Sequence, residues 1–182
     1  MVKGLDIFRK HFKGFEGRYV LIGGTASSIV MEEAGVLFRA TKDLDIVLSI
    51  ESLDLEFGRR FWEFITKGEY TNRQVSSDKK LFYRFHSPKM DDYPYMLELF
   101  SRVPDALTID STKNTLTPIP IANDISSLSA ILLESAYCEF IHDHKTNKGG
   151  LPIVGPEILI PLKTKAWLDL SERKAAGESI DS

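Results

Sequence analysis

The sequence predicts an α+β fold, a mixed twisted sheet with flanking helices, and three observations lead there. Leu5, Phe8, Phe12 and Phe15 recur at helical spacing, and just after them residues 19–22 form a short apolar run bounded by glycines, the mark of a buried strand. Residues 43–49 alternate as a strand does, with Leu44, Ile46 and Leu48 on one face and Asp43, Asp45 and Val47 on the other. Residues 80–85 and 93–100 are two more strand-like runs, and the polar, proline-bearing segment between them predicts a hairpin with a broad loop.

The elements follow in order. The opening amphipathic helix ends at Gly14 and Gly17, and the strand over 19–22 runs into Gly23-Gly24. Ala26, Ile29, Val30 and Ala34 then restore helical spacing, so the first 36 residues read helix, strand, Gly-Gly turn, helix. After the 43–49 strand, Ser52 is placed to cap a helix, with Asp54 and Glu56 in its first turn and Phe57, Phe61, Phe64 and Ile65 as its core stripe. Pro104, Pro118 and Pro120 imply short extended pieces across 101–123, and residues 126–140 fit helix or strand equally. Residues 145–150 read as a turn. Pro156 suits the first position of a last helix, which Pro161 is expected to kink or restart and which continues to about Ala176. The expected organisation is one domain over 1–182, with a core of about 1–125 and a mostly helical C-terminal extension over 126–182.

Composition narrows the function classes. The 182 residues are 43% hydrophobic and 27% charged, ordinary values for a globular chain and far from those of a disordered or fibrous one. A formal net charge of −3 argues against a broadly basic nucleic-acid surface, leaving local clusters such as Arg59-Arg60 and Lys79-Lys80. Cys138 is the only cysteine, which excludes an internal disulfide and fits a cytoplasmic location. The first 13 residues lack the apolar run of a signal peptide. The longest candidate for a membrane span, residues 152–170, is interrupted by Pro156, Pro161, Lys163 and Lys165, so no membrane partner is expected. There is no phosphate-binding loop of the Gly-x-x-x-x-Gly-Lys type, and His142-Asp143-His144 lacks the companion cysteines or histidines of a zinc site.

The block from Tyr19 to Leu48 carries the chemistry. A helix N-terminus offers free N–H groups and partial positive charge, and Gly23 and Gly24 let a phosphate approach the backbone there. The Thr25 hydroxyl is placed to add a hydrogen bond. Asp43 and Asp45, at i and i+2 of a strand, project from one face, where two carboxylates repel unless a divalent cation sits between them. Hard cations such as Mg²⁺ take such oxygen ligands together with substrate phosphates.

Gly23-Gly24-Thr25-Ala26 followed by Arg39-Ala40-Thr41-Lys42-Asp43-Leu44-Asp45 resembles the DNA polymerase beta-type nucleotidyltransferase superfamily, and most of all its AbiEii-like branch, associated with bacterial toxin–antitoxin systems. The similarity covers residues 18–48 best, then 152–174 and 94–100. It implies a polymerase beta-like nucleotidyltransferase fold and a transfer of a nucleoside monophosphate from an NTP to an acceptor hydroxyl on RNA, protein or a small molecule. It implies Mg²⁺ or Mn²⁺ held by Asp43, Asp45 and a third carboxylate on a neighbouring strand. Glu98 fits that third place, since it shares a strand face with Met96 and Phe100. It implies a triphosphate held by Gly23, Gly24, Thr25 and Lys163, the last on the helix that begins at Pro156, with Lys165 about 200° away around it. An antitoxin protein is an implied partner. The spacing from Thr25 to Asp43 exceeds that of compact members, which predicts a longer helix or an added turn around 31–37. The residues after the last helix are fewer than in related chains, which predicts a reduced acceptor site. A second expectation, of another class, is a nucleotidyltransferase-like module that binds a nucleotide or a protein partner without turnover.

Overall fold

The computed structural model describes residues 2–39, 41–72, 83–102, 116–118, 129–175 and 177. In chain order they form α1 (Leu5–His11), β1 (Tyr19–Ile22), α2 (Gly23–Glu33), β2 (Asp43–Leu48), a 3₁₀ turn (Ile50–Ser52), α3 (Leu55–Lys67), β3 (Thr71–Asn72), β4 (Arg84–His86), β5 (Met96–Ser101), β6 (Leu116–Pro118), β7 (Ser129–Leu132), α4 (Ser135–Asp143), β8 (Lys145–Lys148), β9 (Leu151–Val154) and α5 (Pro156–Ala175). The class is the expected α+β, with a mixed sheet and flanking helices. Seven strands run in the order β3-β4-β5-β2-β1-β9-β8, and β7, paired with β6, extends the edge of β5 beyond β4. β2 lies at the centre, antiparallel to β1 and parallel to β5.

One face of this sheet is apolar and closed by aromatic side chains. Register aligns Tyr19 with Leu48, Leu21 with Ile46, Leu44 with Leu97, and Phe85 with Leu97, so these side chains share a face, and all are buried. α1 and α3 lie on it. Phe8 and Phe12 meet Tyr19 at ring separations of 5.5 and 6.0 Å, and Phe61 meets Phe85 at 5.6 Å. Phe64 is a hub, within 5.5 Å of Phe8 and of Phe12 and 4.8 Å of Tyr93. Tilted and edge-on ring pairs of this kind add to the burial of their area. The helical stripes read from the sequence are therefore the core, although Phe12 and Phe15 lie just past the end of α1.

Several local expectations are corrected. The cap of α3 is Asp54, whose carboxylate accepts from the Phe57 N–H at 2.8 Å, while Ser52 closes the preceding 3₁₀ turn. The segment 126–140 is neither all helix nor all strand: it contains β7 and most of α4, and its residues 126–128 lie outside the described residues. Residues 145–150 are more than a turn. They supply β8 and the Gly149-Gly150 bend (φ +58° and +84°), a two-residue loop whose left-handed pair favours tight pairing with β9. β9 then joins the main sheet beside β1. α5 begins at Pro156 as expected and continues past Pro161 without a restart. A single proline near the start of a long helix removes one hydrogen bond while its fixed φ stays helical. Around 31–37 the chain turns: α2 stops at Glu33, Gly35 (φ +70°) takes the left-handed position, and Val36 and Gly35 donate to the Met31 and Glu32 carbonyls respectively. Lys79, Lys80, Pro104 and Pro120 lie outside the described residues.

The aromatic hub generates a test. Phe64 is fully buried, and Phe64→Ala is expected to lower unfolding free energy by about 3–5 kcal/mol in urea denaturation. A loss below about 1 kcal/mol would contradict its place at the centre of the core.

Candidate functional site

The second face of the sheet carries the polar groups. Register aligns Ile22 with Asp45, Asp45 with Glu98, and Glu98 with Arg84, a row across four adjacent strands. Asp43, two residues before Asp45, is aligned with Met96 on the same face. The parallel pairing of β2 with β5 thus does what the sequence alone leaves open: it brings Glu98, from a strand more than 50 residues later in the chain, beside Asp45.

The start of α2 is built around this pair. Gly23 has φ +64°, and a side chain there would overlap the Asp45 carboxylate. Glycine is required twice over, for the left-handed backbone and for the space. A Cβ on Gly24 would come 2.8 Å from Thr41 Oγ1, so the 41–42 segment also closes tightly on the turn. The Gly24 backbone, at this helix start, lies close enough to the Asp45 carboxyl to favour its ionised form. Thr25 is fully buried, and its hydroxyl donates to the Asp43 carbonyl at 2.7 Å. In this arrangement Thr25 braces α2 against β2, and its hydroxyl has no open path to a phosphate. Ser27 donates to the Gly23 carbonyl at 2.8 Å and holds the turn from the other side.

Electrostatics mark Asp45 as the strained member. Burial, then the Glu98 and Asp43 carboxylates, push its pKa up to about 6, while Lys163 and the Gly24 N–H pull the other way. Asp43 is raised too, by burial, against the pull of Lys42 and Arg84. Glu98 is buried and takes hydrogen bonds from Arg84 Nε at 2.7 Å and from Nη2, both to the same oxygen, Oε1. Arg84 is therefore a cation paired with Glu98 and within electrostatic reach of Asp43. Sequence reading missed it. The signal was a basic residue in a strand-like run, but its partner depends on a hairpin register set across a loop of irregular length.

Lys163 lies on the exposed part of α5, one turn after the buried Leu159, and acts on Asp45 from across the α2–α5 packing. It also rims a cavity of about 200 Å³ lined by Ser27, Val30, Met31, Phe38, Leu159 and Ile160. A different cavity, of about 300 Å³, lies past the far end of β2, against Ser49, Arg102 and His142. There His142 Nδ1 is 3.1 Å from Ser49 Oγ, which ties His142 to the loop after β2.

The donor chemistry can be compared with a divalent cation. Among the described residues, no group of three or more His, Cys, Asp or Glu side chains is set to share a metal ion. Two carboxylates, Asp43 and Asp45, face one way from one strand, and their mutual repulsion is what a cation between them would relieve. Oxygen donors of this kind suit Mg²⁺ or Mn²⁺. The residues present thus fit a two-carboxylate seat, with the third carboxylate adjacent and held on Arg84. No described helix is long and apolar enough to cross a membrane. No family model, curated protein or solved structure matches the chain.

Asp45 gives a stability test that needs no ligand. Its pKa is higher in the folded protein than in an unfolded chain, so the folded state binds the extra proton as pH falls. The charge then costs stability in full above about pH 6 and ceases to cost below about pH 4. In a chelator at pH 7.5, Asp45→Asn is expected to stabilise the protein by on the order of 1–3 kcal/mol. The gain should shrink as pH is lowered from about 6 towards 4. A variant less stable than the parent at pH 7.5 would contradict the assignment of strain to Asp45.

Proposed function

We propose that the chain is a nucleotidyltransferase with a polymerase beta-like fold, transferring a nucleoside monophosphate from an NTP to an acceptor hydroxyl. The observation that carries this reading is the register that sets Asp45 beside Glu98, with Asp43 on the same face and the Gly23-Gly24 turn at the end of the row. In the reaction the acceptor oxygen attacks the α-phosphorus, the α–β bridging bond breaks, and pyrophosphate leaves with the bonding pair. A divalent cation bound by Asp43 and Asp45 would supply charge stabilisation at the displaced phosphoryl group. The chain's own residues do the rest. Above about pH 6 Asp45 is ionised, as cation binding requires. Lys163, at the mouth between α2 and α5, offsets triphosphate charge. Glu98, once free of Arg84, is placed to take the acceptor proton. Thr25 acts by bracing α2 against the Asp43 backbone rather than by touching the donor.

One observation favours a second reading. Glu98 is engaged by Arg84, and a chain in which that pair never opens would be a nucleotide- or partner-binding module without turnover. The toxin-like role and an antitoxin partner rest on the sequence resemblance.

Transfer of label from α-³²P NTPs to RNA, protein or small-molecule acceptors, with Mg²⁺ or Mn²⁺ present, decides between them. Metal-dependent transfer is expected, falling on the order of 100-fold or more in Asp43→Asn/Asp45→Asn. NTP and cation binding by calorimetry without transfer selects the second reading. Transfer that persists unchanged in the double variant would overturn the site assignment.

A further inference from the structure

We propose that Arg84 is a built-in counter-ion that withholds Glu98 from the cation seat and releases it when an anionic triphosphate draws the guanidinium away. This role presupposes the nucleotidyltransferase reading and deepens it, making nucleotide and cation binding mutually reinforcing.

Three features of the site lead to it. The first is placement. Arg84 is aligned with Glu98, and Glu98 with Asp45, on strands β4, β5 and β2. Adjacent strands lie about 4.8 Å apart, so the guanidinium and a cation beside Asp43 and Asp45 compete for one carboxylate lying between them. Arg84 also acts on Asp43, so its charge reaches one of the two aspartates of the seat. The second is the form of the pair. Nε and Nη2 both donate to Glu98 Oε1, not one to each oxygen as in the fork-to-fork geometry that makes arginine–carboxylate pairs strongest. Oε2 is left outside the contact. The third is access. The Arg84 side chain is 31% exposed and that of Glu98 11%, so an anion from solvent reaches the arginine before it reaches the carboxylate. Guanidinium groups bind phosphate oxygens at least as readily as carboxylates. Removing the guanidinium to a triphosphate leaves Glu98 buried, without its counter-ion and close to Asp45, and a cation then gains a third ligand. By linkage the same free energy tightens nucleotide when cation is bound.

The experiment is Mn²⁺ binding to the full chain, followed by the paramagnetic resonance signal of free Mn²⁺, in a double-variant cycle without nucleotide. Arg84→Gln is expected to tighten Mn²⁺ about tenfold, within the usual range of coupling between sites. Arg84→Gln/Glu98→Gln should lose the gain. Unchanged affinity in Arg84→Gln, or a gain that persists in Arg84→Gln/Glu98→Gln, overturns the proposal. A second measurement needs no variant to fold for its main readout. In the parent protein with chelator present, α,β-methylene-ATP should shift the Arg84 Nε–H resonance, assigned by its absence in Arg84→Lys, and an unmoved resonance at saturating nucleotide overturns the proposal. Failure of the underlying reading is distinguishable. Mn²⁺ affinity that is indifferent to Asp45→Asn refutes the cation seat itself. Affinity lost in Asp45→Asn but untouched by Arg84→Gln refutes only the role of Arg84.

Discussion

Three carboxylates on one face of a sheet repel, and the rest of this structure is arranged around holding them together anyway. The parallel pairing of β2 with β5 fixes Asp45 beside Glu98, and the i, i+2 spacing of β2 fixes Asp43 on the same side. The cost is visible in Asp45, whose carboxyl is pushed up to about 6 by burial and by its neighbours. Local devices contain that cost. The start of α2 at Gly24 favours the ionised Asp45, Arg84 pairs with Glu98, and Lys163 stands across the α2–α5 packing. Each supplies positive charge or a donor where a ligand would otherwise have to.

Such a site survives because the opposite face is rigid. Residues that alternate with the carboxylates, Leu44, Ile46, Leu97 and Leu99, are fully or almost fully buried, and α1 and α3 close over them with interlocking aromatic rings. A strand cannot slip by one residue without exchanging the two faces. The aromatic core therefore specifies the register, and the register specifies the site. Thr25 and Ser27 extend the same principle to the helix start. Their hydroxyls bond to the backbone at Asp43 and Gly23 and set the angle at which α2 leaves the strand.

Much of this was legible in the sequence, where a residue's role follows from its neighbours along the chain. The glycine pair, the alternation of Asp43 and Asp45 with leucines, and the phenylalanine stripes depend on local spacing: the glycines open α2, the faces of β2 alternate, and the phenylalanines lie in the core, Phe12 and Phe15 just past α1. What was not legible depends on pairing at a distance. Arg84 takes its meaning from an antiparallel register across residues 87–95, and nothing in its own neighbourhood reports that partner. Thr25 was expected to meet a phosphate because its hydroxyl follows the glycine pair, but a buried hydroxyl bonds the nearest free carbonyl, and that belongs to Asp43. Ser52 lost its capping role to Asp54 by two residues, a difference that hinges on where the 3₁₀ turn ends. The β8–β9 hairpin lay hidden because β8 falls within residues 145–150, which read as a turn, and both strands are short.

The central claim is that the Asp43–Asp45 face is a seat for a divalent cation beside a nucleotide. Crystals grown with Mn²⁺ and α,β-methylene-ATP test it most directly, through the anomalous signal of manganese. The account predicts a peak between the Asp43 and Asp45 carboxylates, with the triphosphate on the Lys163 side and Glu98 turned from Arg84 towards the metal. Manganese bound elsewhere, with the two aspartates bare and the Arg84–Glu98 pair intact at full nucleotide occupancy, would contradict it.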